Sequence, residues 1–145
     1  MERRIKTALP NLIDRQDIPS DSHVIILVDD EPDIVNVFGK VLQREGYQVR
    51  EFTDPLKALD FFTANPKKCS LAITDLRMPY MNGIEFASQV RRISPDVKLL
   101  LITAHETESY NDQITHLAFN GILRKPLLPR SLKMMVEKIL GAPTQ

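Results

Sequence analysis

From His23 onward, short apolar runs alternate five times with longer segments of helical periodicity. The apolar runs are too short for buried helices, whereas the segments between them repeat apolar residues at helical spacing. Strands that alternate with helices form parallel sheets, because each parallel connection needs a crossover. The pattern therefore predicts an α/β fold with helices on both faces of one sheet. The predicted strands are residues 24–28, 47–52, 71–74, 97–103 and 121–124.

Two of these runs indicate the order of the strands. Residues 47–52 alternate apolar and polar side chains, which is typical of an edge strand, whereas residues 97–103 are apolar almost throughout and suit the centre. A flavodoxin-like, doubly wound (βα)5 sheet in the order 2-1-3-4-5 fits both observations. The helix between the fourth and fifth strands is expected over about residues 106–118.

Length and composition indicate one domain. At 145 residues with 43% hydrophobic content, the chain suits a single domain with its own core. We expect that domain over residues 23–141, with a C-terminal tail at 142–145. Residues 1–22 are predicted to be an N-terminal tail, with a short helix within it as one option.

Charge and cysteine content exclude several classes of protein. Basic and acidic residues both number 19, and no block of like charge indicates direct contact with nucleic acid or a membrane. No run nears the roughly 18 apolar residues of a membrane span, and residues 1–22 lack the apolar core of a signal peptide. We therefore expect a cytoplasmic protein. The single cysteine, Cys69, is interpreted as an incidental loop thiol.

Acidic residues follow two of the predicted strands. Asp29 and Asp30 end the first apolar run, and Asp75 ends the third. In the predicted order these strands are neighbours, so their carboxylates meet at the edge where open α/β sheets place their chemistry. Neighbouring carboxylates raise one another's pKa values, and a hard divalent cation relieves that conflict. Oxygen-only ligands favour Mg²⁺, with Mn²⁺ as a substitute.

The same edge carries groups suited to phosphoryl chemistry. A carboxylate is a recognised nucleophile toward phosphorus, and Asp75, alone at its strand end, is best placed to attack. Lys125 offers a positive charge and Thr103 a hydroxyl donor for the incoming oxygens. An alternative interpretation of the first acidic group is helix capping, because negative side chains favour the start of a helix. Glu31 in particular is expected to be a helix-start residue.

Four motifs together resemble the receiver domain of two-component response regulators. Each alone is weak, but their order and their positions after successive strands make the resemblance specific. It covers residues 23–141. The motifs are Asp29-Asp30-Glu31-Pro32, the segment from Asp75 to Gly83, Thr103-Ala104 and Lys125-Pro126.

The resemblance implies a phosphoacceptor and its metal site. Asp75 would accept a phosphoryl group from a sensor histidine kinase or a phosphotransfer protein. Asp30 and Asp75 would bind Mg²⁺ directly with the backbone carbonyl of Arg77, and Asp29 would act mainly through water. The chain would be no enzyme beyond its own phosphorylation and dephosphorylation. Its output would pass through a protein partner or a homodimer that uses the face of the fourth helix, fifth strand and fifth helix.

The resemblance also implies contacts to the phosphoryl group. Thr103 and Lys125 would contact its oxygens, Ala104 and Ile122 would belong to the same phosphate-contacting and switch positions, and the Lys125-Pro126 bond would be cis. The family usually carries an aromatic residue where this chain has Ile122, so a ring-based switch is not assumed. Phe119 is expected to cover part of the surface that such a ring would use.

Two positions are predicted to tune the lifetime of the phosphoryl group. Arg77 and His105 lie two residues after Asp75 and Thr103, where family members flank the route of the hydrolytic water. The hypothesis is that this pair blocks or positions that water. The alternative is that both are solvated loop side chains.

Three rival functions agree less well with these residues. A flavin or nucleotide binder would need a Gly- or Ser-rich phosphate loop where this chain has acids. A phosphatase with an aspartyl-phosphate intermediate would need a second acid where Arg77 stands. The serious rival is a phosphorylation-independent protein-binding module on the same fold, suggested by Ile122 and Phe119 and opposed by the intact acids and lysine.

Overall fold

A computed structural model of the protein describes residues 23–142. The predictions for residues 1–22, and those for residues 143–145 of the C-terminal tail, lie outside this part of the chain. The strands are β1 (Val24–Val28), β2 (Gln48–Phe52), β3 (Cys69–Thr74), β4 (Lys98–Thr103) and β5 (Gly121–Arg124). The helices are α1 (Pro32–Arg44), α2 (Pro55–Ala64), α3 (Gly83–Ile93), α4 (Asn111–His116) and α5 (Pro129–Leu140), with a 3-10 turn at Glu108–Tyr110 before α4.

The predicted fold class and strand order are confirmed. The five strands form one parallel sheet in the order β2-β1-β3-β4-β5. Val28 pairs with Thr74 at the ends of the neighbouring strands β1 and β3, so the residues that follow them leave the sheet side by side. Thr103 pairs with Arg124 at the ends of β4 and β5. The carboxyl edge of the sheet therefore collects residues from four segments of the chain.

Two hydrophobic clusters, one on each face, cover the sheet. On one face Phe61, Phe62 and Phe86 from α2 and α3 pack on the strands, together with α4. On the other face Phe38 from α1 and Leu132 from α5 pack on the alternate strand residues. Because successive strand residues point to opposite faces, β1 contributes side chains to both clusters. The central strands are thereby closed to water except at their ends.

The edge and centre strands match the expectation from their sequence patterns. Every residue of β2 is exposed or half-buried, whereas β4 is buried from its second residue onward. A strand with one neighbour and one covered face retains polar residues, while a strand covered on both faces is apolar. Within residues 23–142, the longest helix is α1 with 13 residues, and none is long and apolar enough to cross a membrane.

The fourth helix is shorter than predicted. The expected helix over about residues 106–118 is replaced by the 3-10 turn and the six-residue α4. Ala118, the last residue of the expected helix, is exposed and takes a positive φ of 59°. Arg91 on α3 donates hydrogen bonds to the carbonyl oxygens of Leu117 and Ala118, at 3.1 and 3.4 Å. This contact with α3 uses carbonyl groups just after α4. The helical periodicity of the sequence does not predict it.

The interpretation of Cys69 as a loop thiol is wrong. Cys69 is the first residue of β3, pairs with Val24 and is only 5% exposed. The register between β1 and β3 shifts after Val24, so β3 begins two residues before the expected apolar run. Burial raises the pKa of the Cys69 thiol to about 12, with a small opposing effect from Arg50. The thiol is therefore protonated at neutral pH and shielded from reagents.

Cys69 should react with a thiol reagent only when the fold opens. In native protein at pH 8, we expect Ellman's reagent to label Cys69 far more slowly than a free thiol, because burial keeps the group neutral and covered. In about 6 M guanidinium chloride, which unfolds small domains, labelling of Cys69 should be complete. Introducing an exposed thiol by Ser109→Cys gives the matched control in the same fold. Fast native labelling of Cys69 would contradict the assignment.

Candidate functional site

Three carboxylates gather at the carboxyl edge of the sheet. Asp29 and Asp30 follow β1, Asp75 follows β3, and oxygen atoms of all three lie within 4.8 Å of one another. Asp29 is 3% and Asp75 is 7% exposed, while Asp30 is half-buried. The three residues that the sequence nominated as metal ligands thus form one cluster within residues 23–142.

Lys125 reaches this cluster from the far side of the sheet. It directly follows β5, and its Nζ atom lies 2.6 Å from Asp29 Oδ2 and 3.5 Å from Asp75 Oδ2. The Lys125 backbone N–H donates to the Thr103 carbonyl at 3.0 Å, which continues the pairing of β5 with β4 by one residue. The Lys125-Pro126 peptide bond is cis. One ammonium group therefore links carboxylates from two different strands.

Burial and charge shift the pKa values of this cluster. Burial raises the pKa of Asp75 above its ordinary value, the charge of Asp29 raises it further, and Lys125 and the Leu76 N–H offset only part of this. Burial lowers the pKa of Lys125, but the hydrogen bond and charge of Asp29, with Asp75 and Glu31, outweigh burial and raise it. Three carboxylates share one lysine, so the pocket favours a further cation.

Backbone N–H groups fix the orientation of both buried carboxylates. The Leu76 N–H donates to Asp75 Oδ1 at 2.8 Å, and the Glu31 N–H donates to Asp29 Oδ1 at 3.0 Å. In each residue the other oxygen, Oδ2, faces Lys125. Glu31 lies at the N-cap of α1, is exposed and makes no side-chain capping bond. Asp29 therefore belongs to the pocket, and Glu31 is the helix-start residue that the sequence predicted.

Thr103 lies at the end of β4 and is fully buried. Its Oγ1 atom accepts a hydrogen bond from the His105 backbone N–H at 3.1 Å, which closes a short turn over Ala104. Ala104 and His105 are exposed in the loop after β4, and the side chain of Arg77 is exposed in the loop after β3. The roles predicted for these three positions, and for the Arg77 carbonyl, stay predictions.

The switch position Ile122 lies on β5, and Phe119 lies just before this strand. Ile122 is 37% exposed on β5, and Phe119 is half-buried against the cluster that contains Ile114 and Leu117. The Phe119 ring thus packs beside α4, on the face of the sheet that also carries α2 and α3.

Sequence reasoning missed two residues that hold the backbone of Asp75. The Thr74 hydroxyl donates to the Asp75 carbonyl at 2.8 Å. A Cβ atom added to Gly83 would lie 2.1 Å from the same carbonyl oxygen, and the Gly83 N–H donates to Leu76 at 2.7 Å. Gly83 lets the start of α3 approach the end of β3 closely. Only the folded geometry gives that distance.

The donor set fits a hard cation. Three carboxylates offer oxygen ligands alone, and the described cluster contains neither thiolate nor imidazole. Such a set suits Mg²⁺, which keeps several waters and binds phosphate oxygens in addition to protein carboxylates. The residues present therefore fit a magnesium site at the carboxyl edge.

A family model for the response regulator receiver domain matches residues 25–137. The response regulator receiver protein CpdR of Brucella abortus is 33% identical over 118 residues, which cover 81% of this chain and 97% of CpdR. The transcriptional regulatory protein CssR of Bacillus subtilis is 30% identical over 119 residues, which cover 82% of this chain and 52% of CssR. The chain thus spans nearly all of one relative and about half of the other.

Solved structures agree with the fold. The chemotaxis protein CheY4 of Vibrio cholerae superposes with a TM-score of 0.73 at 26% identity, over 82% of this chain and 99% of CheY4. A response regulator receiver domain protein from Clostridium thermocellum superposes with a TM-score of 0.76 at 23% identity, over 81% and 94% of the two chains. At that identity the second likeness is a likeness of fold.

Gly83→Ala should damage the pocket through the backbone. The new methyl group would lie 2.1 Å from the Asp75 carbonyl oxygen, so the start of α3 or the end of β3 has to move. We expect a loss of about 1–3 kcal/mol in the free energy of unfolding, as for other overpacked sites. Urea denaturation measures this loss.

Gly121→Ala is the matched control for that substitution. The added methyl group would first meet the flexible Met135 side chain, at 2.9 Å, so the loss in the free energy of unfolding should be smaller than for Gly83→Ala. Equal stability of Gly83→Ala and wild type would show that the close approach is unimportant.

Proposed function

Because the chain belongs to the receiver-domain family of two-component response regulators, we propose that Asp75 is its phosphoacceptor. Proteins of this family interact with histidine kinases and with downstream effectors. The observation that carries the proposal is the pocket itself. The buried carboxylate of Asp75 lies 3.5 Å from the Lys125 ammonium group and beside the carboxylates of Asp29 and Asp30. All ligand atoms that this cluster offers are oxygens.

The proposed reaction is transfer of a phosphoryl group from a phosphohistidine. An Asp75 carboxylate oxygen attacks phosphorus, the phosphorus–nitrogen bond of the donor breaks, and the imidazole leaves with the bonding electron pair and takes up a proton. The product is an aspartyl phosphate. The chain then acts only on itself, in phosphorylation and in later hydrolysis, and is no enzyme toward other substrates.

Lys125 has a specific part in this proposal. Its Nζ atom is held by Asp29 at 2.6 Å and is within reach of Asp75 at 3.5 Å. A phosphoryl group on Asp75 presents new anionic oxygens, and the flexible lysine stem lets the ammonium follow them. The ammonium group of Lys125 then offsets the negative charge that the phosphoryl group brings to Asp75.

Mg²⁺ is the cofactor that we propose, with Mn²⁺ as a substitute. Asp29, Asp30 and Asp75 would hold it with the backbone carbonyl of Arg77, Asp29 mainly through water. When bound, the ion supplies positive charge opposite the phosphoryl oxygens. The oxygen-only cluster supports this choice.

Thr103 couples the pocket to the loop that follows β4. Its Oγ1 atom now accepts from the His105 N–H. To donate to a phosphoryl oxygen the hydroxyl turns toward Asp75, which releases that N–H and lets residues 104–107 shift, with Ala104 contacting the phosphoryl group. Ile122 on the adjacent strand then repacks without the help of an aromatic ring. We propose that the surface of α4, β5 and α5 carries the signal to a partner or to a second copy.

Phosphorylation is tested by intact mass. We expect wild-type protein with acetyl phosphate and Mg²⁺ to gain one phosphoryl group, and Asp75→Asn to gain none. Adding EDTA should abolish the adduct, because the carboxylates then lack the cation that offsets phosphoryl charge. A receiver of known activity serves as the positive control.

A wild-type chain that stays unmodified beside a modified control would reject the phosphoacceptor assignment. It would favour the phosphorylation-independent binding module, for which partner binding by Asp75→Ala should equal that of wild type.

The lifetime hypothesis has its own test. If Arg77 and His105 block or position the hydrolytic water, Arg77→Ala and His105→Ala should each change the decay rate of phospho-Asp75. We expect a change of several-fold, on the order of 1 kcal/mol in the barrier. Decay is followed by intact mass after removal of acetyl phosphate, with exposed Arg92→Ala as a control arginine substitution. Unchanged decay in both variants would mean that these are solvated loop residues.

A further inference from the structure

A groove of about 440 Å³ runs between α3 and α4. The buried side chains of Ile84, on α3, and Leu117, just after α4, line its apolar part. Both belong to the hydrophobic cluster on the face of the sheet that also carries α2. Among the described residues, the groove and the carboxylate cluster have no member in common, so the groove is a separate surface feature.

The walls of the groove carry negative charge. Glu85 lines it from α3 and Asp112 from α4, and the described lining residues include neither lysine nor arginine. The Asn82 N–H donates to Glu85 Oε1 at 2.8 Å, which holds that carboxylate at the start of α3. Apolar side chains below and carboxylates at the sides complement a segment in which basic residues flank apolar ones.

The chain itself contains a segment with this chemistry. Residues 3–9, which precede the described part of the chain, read Arg-Arg-Ile-Lys-Thr-Ala-Leu. Three basic residues surround Ile5, and no acidic residue interrupts the segment. Leu9 follows Ile5 by four residues, which is the spacing of neighbouring apolar anchors in peptides that bind grooves. Residues 3–9 therefore match the groove in both charge and apolar content.

The chain enters the domain on the side of the sheet that carries the groove. Val24, the first residue of β1, belongs to the same hydrophobic cluster as Ile84 and Leu117. The 14 residues between Leu9 and Val24 span up to about 50 Å when extended. A domain of about 120 residues has a radius of gyration of about 14 Å. The groove is therefore within reach of residues 3–9.

A weak contact is enough for a tethered segment. A tether of this length gives an effective concentration on the order of 1 mM. A segment with a dissociation constant of about 0.1 mM as a free peptide would then fill the groove in roughly nine of ten molecules. Burial of Ile5 and Leu9 supplies most of that affinity, because exposed ion pairs add little. The basic residues select this groove over uncharged or positively charged faces.

We propose that residues 3–9 bind in the groove between α3 and α4 of the same chain. Ile5 and Leu9 bury their side chains in the groove, and the basic residues face the carboxylates of Glu85 and Asp112. The N-terminal segment is then an intramolecular ligand that covers the side of α4 facing α3. This inference does not depend on the phosphoacceptor function proposed for Asp75.

Paramagnetic broadening of amide signals in the full chain tests this contact. A nitroxide is attached to the Thr7→Cys variant, and intact mass verifies one label per chain, since Cys69 is buried. The amide signals of Ser88 and Gln113, which line the groove, should be broadened strongly. Those of Lys40 on α1 and Lys138 on α5, which pack on the opposite face of the sheet, should be nearly unaffected.

Variants on both sides of the contact make the test specific. Replacing Ile5 and Leu9 together by alanine should reduce the broadening at the groove by at least about fivefold, because the apolar burial is lost. Ser88→Arg fills part of the groove and adds a positive charge, so the broadening should fall by about twofold or more. Asn36→Arg, at an exposed position of α1, is the matched control and should leave it unchanged. The dispersion of the amide spectrum reports that each variant is folded.

Three results would overturn the proposal. The first is equal broadening on both faces of the sheet. The second is broadening at the groove that survives the double alanine substitution or Ser88→Arg. The third comes from a mixture in which one population carries the nitroxide and the other carries the isotope label. Broadening at the groove in that mixture as strong as within one chain would mean that the segment binds a second copy.

Discussion

The contact between Lys125 and the two buried aspartates is the interaction on which the architecture of the pocket depends. The ammonium group joins Asp29 and Lys125, which are 96 residues apart in sequence. The contact joins the ends of β1 and β5, which are separated in the sheet by β3 and β4. Without the lysine, two buried carboxylates would face each other with no positive charge between them. The pocket thus depends both on the order of the strands and on the positive charge of Lys125.

The packing of the sheet explains why polar chemistry occurs at its edge. β1 is buried and apolar along its whole length, and β4 is buried from Leu99 to its end at Thr103. Polar groups can enter only where a strand stops and the backbone turns away. Asp29, Asp75 and Thr103 are among the few buried polar residues, and each follows or ends a strand. The loops after β3 and β4 carry exposed residues, among them Arg77 and His105.

Local sequence predicted some features well and others badly. The limits of β1 and β5 match the prediction, because a short apolar run is a local signal. The fourth helix was predicted too long, since Arg91 on another helix occupies the carbonyl groups that follow α4. Cys69 was placed in a loop because the register shift beside Val24 leaves no trace in the sequence. The close approach of Gly83 to the Asp75 carbonyl oxygen is visible only in the folded structure.

The sequence by itself determined the α/β class, the strand order and the residues that could form an oxygen-only pocket. It could do so because hydrophobic periodicity and the position of acids after apolar runs are properties of neighbouring residues. The tertiary structure decided how those groups meet, through the 2.6 Å contact of Lys125 with Asp29 and the hydrogen bonds of the Leu76 and Glu31 N–H groups to the carboxylate oxygens. These depend on distances between segments far apart in the chain, which are set only when the two cores pack against the sheet.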